Sequence, residues 1–405
     1  MRIPIIAIFL ATTAFGFMLK YLTYSRRNAP LPENVRDVFD KDTYKKNRAY
    51  TMEKLRFSIV SGIIAMAVSL AFLLFNAHRW LYSLISGYTD NVYLVSLFML
   101  LVPLVAASVI DRIVSVYDTF VIEERYGFNK TTAGTYIADF VKMLVVFLVI
   151  AGGLLSLFLF LRGRMGAGWM SIAIFFVLVA FQFFMMFISP LLIRIIYKLT
   201  PLEDGDLKEK IEGFAQRTGC KLKGIYMVDA SRRSTKLNAF ASGYGKTKTV
   251  GLFDTLVEKM THDEIIGILA HEIGHAKKHH ILKRAPLGFL ALAIMVAAAH
   301  FIVAMPEVSQ AFGFAGANTA FGIYVLFIML SPVLLILNIP SNALSRKHEY
   351  EADAFEKVLV GKETAVSALK KLYRESFGNL TPHPFVVTME HSHPPLSERI
   401  AALEE

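Results

Sequence analysis

Seven apolar runs, each long enough to cross a lipid bilayer, constrain this chain more than any other feature. They cover approximately residues 3–19, 57–76, 92–110, 143–161, 169–193, 285–305 and 320–339. About 20 residues of helix span the hydrocarbon core, and a helix satisfies its own backbone hydrogen bonds where no water can. The expected fold is mainly α, a seven-helix multi-pass membrane protein. A composition that is 55% hydrophobic fits that class and not a soluble globular one. The first run follows Arg2, as a secretory signal would. No small-x-small cleavage site precedes Tyr24-Ser25-Arg26-Arg27, so an uncleaved span is expected.

Loop charges set an expected orientation. The first connecting segment holds Lys20, Arg26, Arg27, Arg36, Lys41, Lys45, Lys46, Arg48, Lys54 and Arg56, against Arg79 alone in the second. Basic loops stay cytoplasmic. That puts the amino terminus outside, the third loop with Arg112, Arg125 and Lys130 inside, and the loop over 305–320, which lacks Lys and Arg, outside. The carboxyl terminus is then cytoplasmic, and Arg162 and Arg164 are minor exceptions. This topology accounts for the net charge of +10. With no recognisable nucleic-acid module beside it, the bilayer is an expected partner and nucleic acid is not. The single cysteine, Cys220, excludes an intramolecular disulfide and a thiolate-rich metal site.

The spans divide the chain into four parts. Residues 1–198 carry the first five spans, 199–284 a cytoplasmic α+β unit, 285–340 a transmembrane hairpin and 341–405 returning cytoplasmic helices. Within the second part, 207–218 has the period of an amphipathic helix. Stretches near 224–228, 237–243 and 247–252 read as short strands, with Gly243-Tyr244-Gly245-Lys246 as the turn between the last two.

That unit leads into His271-Glu272-Ile273-Gly274-His275. Two histidines at i and i+4 share one face of a helix and can hold one zinc ion, with the glutamate beside them as a base. Thr261 with Glu264 forms a capping box, Asp263 and Glu264 suit a helix amino terminus, and a helix over about 261–283 is expected.

Two histidines leave a catalytic site short of its usual three protein ligands. In the metzincin pattern a third histidine follows ten residues after the first, with a glycine at seven; here those positions are Ile281 and Lys278, which rejects that class. Among downstream carboxylates, Glu349 in Ser345-Arg346-Lys347-His348-Glu349-Tyr350-Glu351-Ala352-Asp353 is the best placed, with a solvated helix face as the alternative reading. Glu351 and Glu356 are expected to turn to other faces. Asp353, one turn on, shares the face of Glu349 and is placed to hydrogen-bond a histidine ligand.

The sequence HEIGH followed, after a membrane hairpin, by SRKHEYEADAF resembles the integral-membrane type I CAAX prenyl endopeptidases, zinc proteases that process yeast mating pheromone and the lamin A precursor. FVIEERYGFN at 120–129, TPL at 200–202, KLNAF at 236–240 and SHPPLSER at 392–399 extend the likeness over nearly the whole chain. It implies a gluzincin-type site in which His271, His275 and Glu349 bind one Zn2+, Glu272 is the catalytic base and Asp353 stands beside the ligands. It also implies that His393 and Arg399 reach the substrate or the developing oxyanion, and that the seven helices enclose a water-filled chamber. His279 and His280 read as a polar face or as residues behind the ligands. The end at Glu405 without a basic retrieval tail suits a prokaryotic-type member, hence the inner membrane; a eukaryotic member would sit in the endoplasmic reticulum.

The expected reaction is hydrolysis of membrane-associated or CAAX-type lipidated peptides by water that zinc activates and Glu272 deprotonates. The strand near 237–243 would pair with an extended peptide, making Asn238 and Ala239 candidate contacts, although a plain edge strand fits the same residues. Two other readings are a quality-control protease for membrane proteins and a transporter or receptor with structural zinc. A base beside an open ligand position argues against the last.

Overall fold

A computed structural model describes residues 1–242 and 248–405; the turn expected at Gly243-Tyr244-Gly245-Lys246 lies outside the described residues. Among the described residues seven helices are long and apolar enough to cross a membrane. They belong to α1 (Arg2–Ser25), α2 (Lys41–Leu74), α4 (Val92–Tyr117), α5 (Ala133–Arg162), α6 (Ala167–Ile196), α10 (His280–Ile302) and α12 (Thr319–Val360), with the short α3 (Ala77–Ser86) between α2 and α4. Asp40, Asn91, Thr132 and Asn318 cap α2, α4, α5 and α12 by accepting hydrogen bonds from first-turn N–H groups. Pro103 in α4 and Pro332 and Pro340 in α12 do not end their helices. The last apolar run and the expected return segment are therefore one helix of 42 residues. No residue in the most apolar stretches of α5 and α6 is fully buried, although α5 packs against α4 and α6, and α6 against α10.

Between α6 and α10 lies the α+β unit: β1 (Leu199–Pro201), α7 (Asp206–Arg217), β2 (Leu222–Val228), β3 (Ala239–Ser242), β4 (Lys248–Phe253), α8 (Asp254–Lys259) and α9 (His262–Lys277). The sheet order is β1-β2-β4-β3. β2 and β4 are parallel, and β1 and β3 flank them antiparallel. The three-residue β1 carries too little pattern to be read from sequence. Ile211 and Phe214 of α7, Val250 and Leu252 of β4, and Ile265, Leu269 and Ile273 of α9 share one buried core. Gly251 is needed there, because a Cβ would sit 2.3 Å from the Phe240 ring across the β3–β4 pair.

The helix expected over 261–283 is broken. α9 stops at Lys277, His279 takes a left-handed conformation (φ 56°), and α10 starts at His280 and turns into the membrane. The break lets the buried His280 point back at α9, which no local sequence signal announces.

Beyond α11 (Pro306–Gln310) and α12, the chain returns through α13 (Lys362–Glu375), α14 (Pro384–Glu390) and α15 (Leu396–Glu404). α9 lies along the carboxy-terminal half of α12, the most extensive helix pairing among the described residues. Gly274 permits it: a Cβ there would stand 3.2–3.3 Å from Phe355 and the Ala352 backbone.

The FVIEERYGFN stretch forms a π-helical turn (Asp118–Glu123) and a loop that ties the spans to this unit. Glu123 accepts from Tyr50 (2.7 Å) and Lys54 (3.0 Å) and pairs with Lys236 (2.8 Å). Backbone bonds join Lys130 N–H to Arg233 C=O and Thr235 N–H to Phe128 C=O. Arg233 clamps Asp139 of α5 at 2.8 and 3.1 Å and donates to the Ile196 carbonyl at 2.7 Å.

Candidate metal centre

Three side chains converge where α9 meets α12. His271 Nε2 and His275 Nε2 are 3.0 Å apart, and Glu349 Oε2 and Oε1 stand 3.4 Å from the first and 3.3 Å from the second. Atoms held about 2.0–2.1 Å from a common tetrahedral divalent ion are separated by about 3.3 Å. Glu349 is buried, and its Oε2 has no hydrogen-bond partner. A buried, unpaired carboxylate oxygen is costly without a cation facing it. The donor set thus fits a metal.

Each imidazole is oriented from behind. His271 Nδ1 lies 2.9 Å from Asp353 Oδ1, so Nδ1–H donates to the carboxylate and the Nε2 lone pair faces the centre. Asp353 is in turn gripped by the buried Arg399, whose Nε and Nη2 donate at 2.8 and 2.5 Å. His275 Nδ1 is 2.9 Å from His280 Nδ1, and His280 Nε2 is 3.2 Å from Glu351 Oε2. These contacts order the protons in one direction: His275 Nδ1–H donates to His280, and His280 Nε2–H donates to Glu351. The His280 ring stacks on His348 at 4.0 Å.

Glu272 projects from the same helix beside the two histidines. Among the described residues no hydrogen bond or ion pair engages its half-buried carboxylate, and burial pushes that carboxyl above its usual range. His393, on the segment between α14 and α15, is exposed, with Nε2 3.5 Å from Glu349 Oε1 and Nδ1 3.0 Å from Ser392 Oγ. Arg399 is buried and bonded to Asp353, with Nη2 3.7 Å from Glu349 Oε2. Asn238 and Ala239 lie at the start of β3, the outer strand of the sheet and a neighbour of α9. Asn238 C=O accepts from Phe253 N–H, and the exposed Asn238 side chain accepts from Ala239 N–H.

One expectation about α12 needs correction. Glu356 faces the same way as Glu349, with Oε2 3.8 Å from His271 Nδ1, because seven residues fall only about 20° short of two helical turns. Glu351 turns to another face, as expected, where it accepts from His280, a partnership that the break at His279 creates.

Comparison with known proteins places these features. A family described as "CAAX prenyl protease N-terminal, five membrane helices" matches residues 20–196, and "Peptidase family M48" matches 201–405. CAAX prenyl protease 1 of Saccharomyces cerevisiae is 31% identical over 98% of this chain and 93% of its own length. A homologue from Arabidopsis thaliana is 30% identical over 97% of each, and one from Homo sapiens 29% over 92% and 88%. The crystal structure of S. mikatae Ste24p aligns with a TM-score of 0.93 at 30% identity, covering 100% of this chain and 99% of that one. The chain belongs to peptidase family M48, among the membrane-spanning CAAX prenyl proteases, and is a metalloendopeptidase.

Proposed function

We propose that the chain is a zinc endopeptidase that cleaves CAAX-type prenylated peptides at the cytoplasmic membrane surface. The observation that carries it is the triangle of His271, His275 and Glu349 around a buried carboxylate oxygen that has no hydrogen-bond partner. Zinc, when bound, supplies Lewis acidity to a water and to the scissile carbonyl. Glu272, uncommitted beside the two imidazoles, takes the proton from that water and delivers it to the leaving amine. His393 faces the open side and donates to the carbonyl oxygen as charge builds there. Asp353, held by Arg399, fixes the tautomer and tilt of His271, which makes Arg399 a positioning residue. An extended peptide adds to the outer edge of β3 near Asn238 and Ala239, so main-chain groups supply recognition that tolerates varied side chains.

The substrate class is supported by the names of the relatives and by the site's height. Glu349 lies ten residues beyond the last apolar run, about 15 Å along the helix, close enough for a lipid-tethered peptide to arrive without leaving the bilayer. The asymmetry of Lys and Arg between loops supports a cytoplasmic site. The test is metal content and peptide cleavage for wild type, Glu272→Gln and Glu349→Ala. We expect Glu272→Gln to keep the metal and lose cleavage on the order of 100-fold or more, and Glu349→Ala to lose the metal. Normal cleavage by Glu272→Gln defeats the mechanism, and equal turnover of farnesylated and unmodified peptides defeats the substrate assignment.

A further inference from the structure

One cluster of basic residues stands apart from the peptidase site. Where α1 ends and α2 begins, Arg27, Lys41, Lys45 and Arg48 line an open groove of about 390 Å³ floored by Tyr44 and Met52. Arg26 lines a tighter pocket continuous with it through Arg27, Tyr44 and Arg48. Lys41, Lys45 and Arg48 follow at i, i+4 and i+7, one face of α2, and point the same way as the α1 terminus. Neither pocket is lined by an Asp or Glu. Among the described residues none of these five cations is in an ion pair. Of the two acids flanking Lys41, Asp40 is occupied in capping α2 through Asp42 N–H and Thr43 N–H, and among the described residues the exposed Asp42 pairs with none of the five cations. Arg26 adds a second, independent sign of a missing partner: its Nε is buried and has no hydrogen-bond acceptor.

Like charges gathered around one concavity repel unless an anion joins them, and guanidinium groups match the planar, multi-acceptor edge of a phosphate. Position narrows the source. Arg26 is seven residues beyond the first apolar run, about 10 Å along the helix, at the height of the lipid headgroup layer. Basic clusters directly beside a transmembrane helix attract anionic lipids at about a fivefold gain in affinity per Lys or Arg.

We propose that this groove is a binding site for the phosphate of an anionic phospholipid headgroup, held by Arg26, Arg27 and Arg48 with Lys41 and Lys45 at its rim. The site is separate from the metal centre. Its pocket also includes Asn379, Leu380 and Thr381, which follow α13 and lead to the segment carrying His393.

Native mass spectrometry of the full chain, released from phosphatidylcholine micelles doped with phosphatidylglycerol, tests it. Wild type should retain phosphatidylglycerol over phosphatidylcholine. The pair Arg26→Gln and Arg48→Gln should bind it roughly 30-fold more weakly, two factors of about five. Lys41→Gln with Lys45→Gln, both exposed on α2, should weaken it in the same direction without touching a buried group. A control pair, Lys221→Gln with Lys223→Gln on the α+β unit, should bind as wild type does. Competition by inorganic phosphate at millimolar concentration assigns the site to phosphate itself; protection by the lipid alone assigns it to the membrane. Equal retention of both lipids, or wild-type affinity in both groove pairs, overturns the proposal.

Discussion

Glu349 and Glu356 both reach towards His271 from α12, yet they approach different nitrogens. Glu349 meets Nε2, the atom it shares with the His275 side of the centre, whereas Glu356 meets Nδ1 at 3.8 Å, where Asp353 already stands closer at 2.9 Å. This predicts a split. Glu356→Gln should keep metal affinity within a fewfold of wild type, while Asp353→Asn, which removes the negative charge between His271 and Arg399 and turns one of its two acceptor oxygens into a donor, should cost 10- to 100-fold. Metal titration against a competing chelator measures both; a larger loss from Glu356→Gln would reverse the assignment. The i+4 histidine pair and the carboxylate after the hairpin are visible in sequence because helical spacing is a local rule. The Glu356 placement obeys the same rule at i+7. Choosing among Glu349, Glu351 and Glu356, however, requires the angle at which α12 meets α9, which no spacing contains.

Gly274 sets that angle among the elements. The two ligand-bearing helices touch at a residue without a side chain, with Phe355 and the Ala352 backbone in the space a Cβ would take. Gly274→Val should force α9 from α12, at about 1–3 kcal/mol of overpacking, and reduce metal occupancy without altering any ligand. Elemental analysis beside a thermal melt checks it, and full occupancy would show that the interface yields. The start of α9 is equally specific. Glu264 is buried, and burial alone would push its carboxyl up. Bonds from Thr261 N–H (2.8 Å), Ser367 Oγ (2.8 Å) and Lys371 Nζ (3.0 Å) hold it below the usual carboxylate range. Since the folded carboxyl titrates below the unfolded one, its contribution is complete above the unfolded value of about 4.3. It fades as pH falls through the folded value. Glu264→Gln should therefore lower the melting temperature at pH 7 and bring the variant closer to wild type in strong acid. A gap independent of pH would refute the linkage. The capping box is legible because its two residues are three apart. The left-handed His279 that ends the same helix is not, since its cause is the burial of His280 against residues 70 positions away.

At the scale of the molecule, a peptidase unit has to be held at a fixed height above the spans, and Arg233 is the side chain placed to do it. It joins Asp139 of α5 by two hydrogen bonds and the last turn of α6 through Ile196 C=O, while its backbone carbonyl receives Lys130 N–H. Three residues later Lys236 pairs with Glu123 on the π-helical turn, just before the strand proposed to receive the peptide. None of these pairs has a spacing that a sequence reader could use, and FVIEERYGFN stands out only through resemblance. The proposed metal ligands lie on α9 and α12, outside this joint. Arg233→Ala leaves the half-buried Asp139 without its main partner and the peptide edge without its anchor, at a cost up to about 3 kcal/mol. The metal should stay bound. With a peptide tethered by a lipid, loss of height control should appear as a raised KM with a smaller change in kcat, because the edge and the tether are no longer held in step. A soluble, untethered peptide should show less of the KM effect, since it does not depend on the distance to the bilayer. If both peptides lose kcat equally at full metal occupancy, the joint acts on the chemistry of the centre and not on the placement of the substrate.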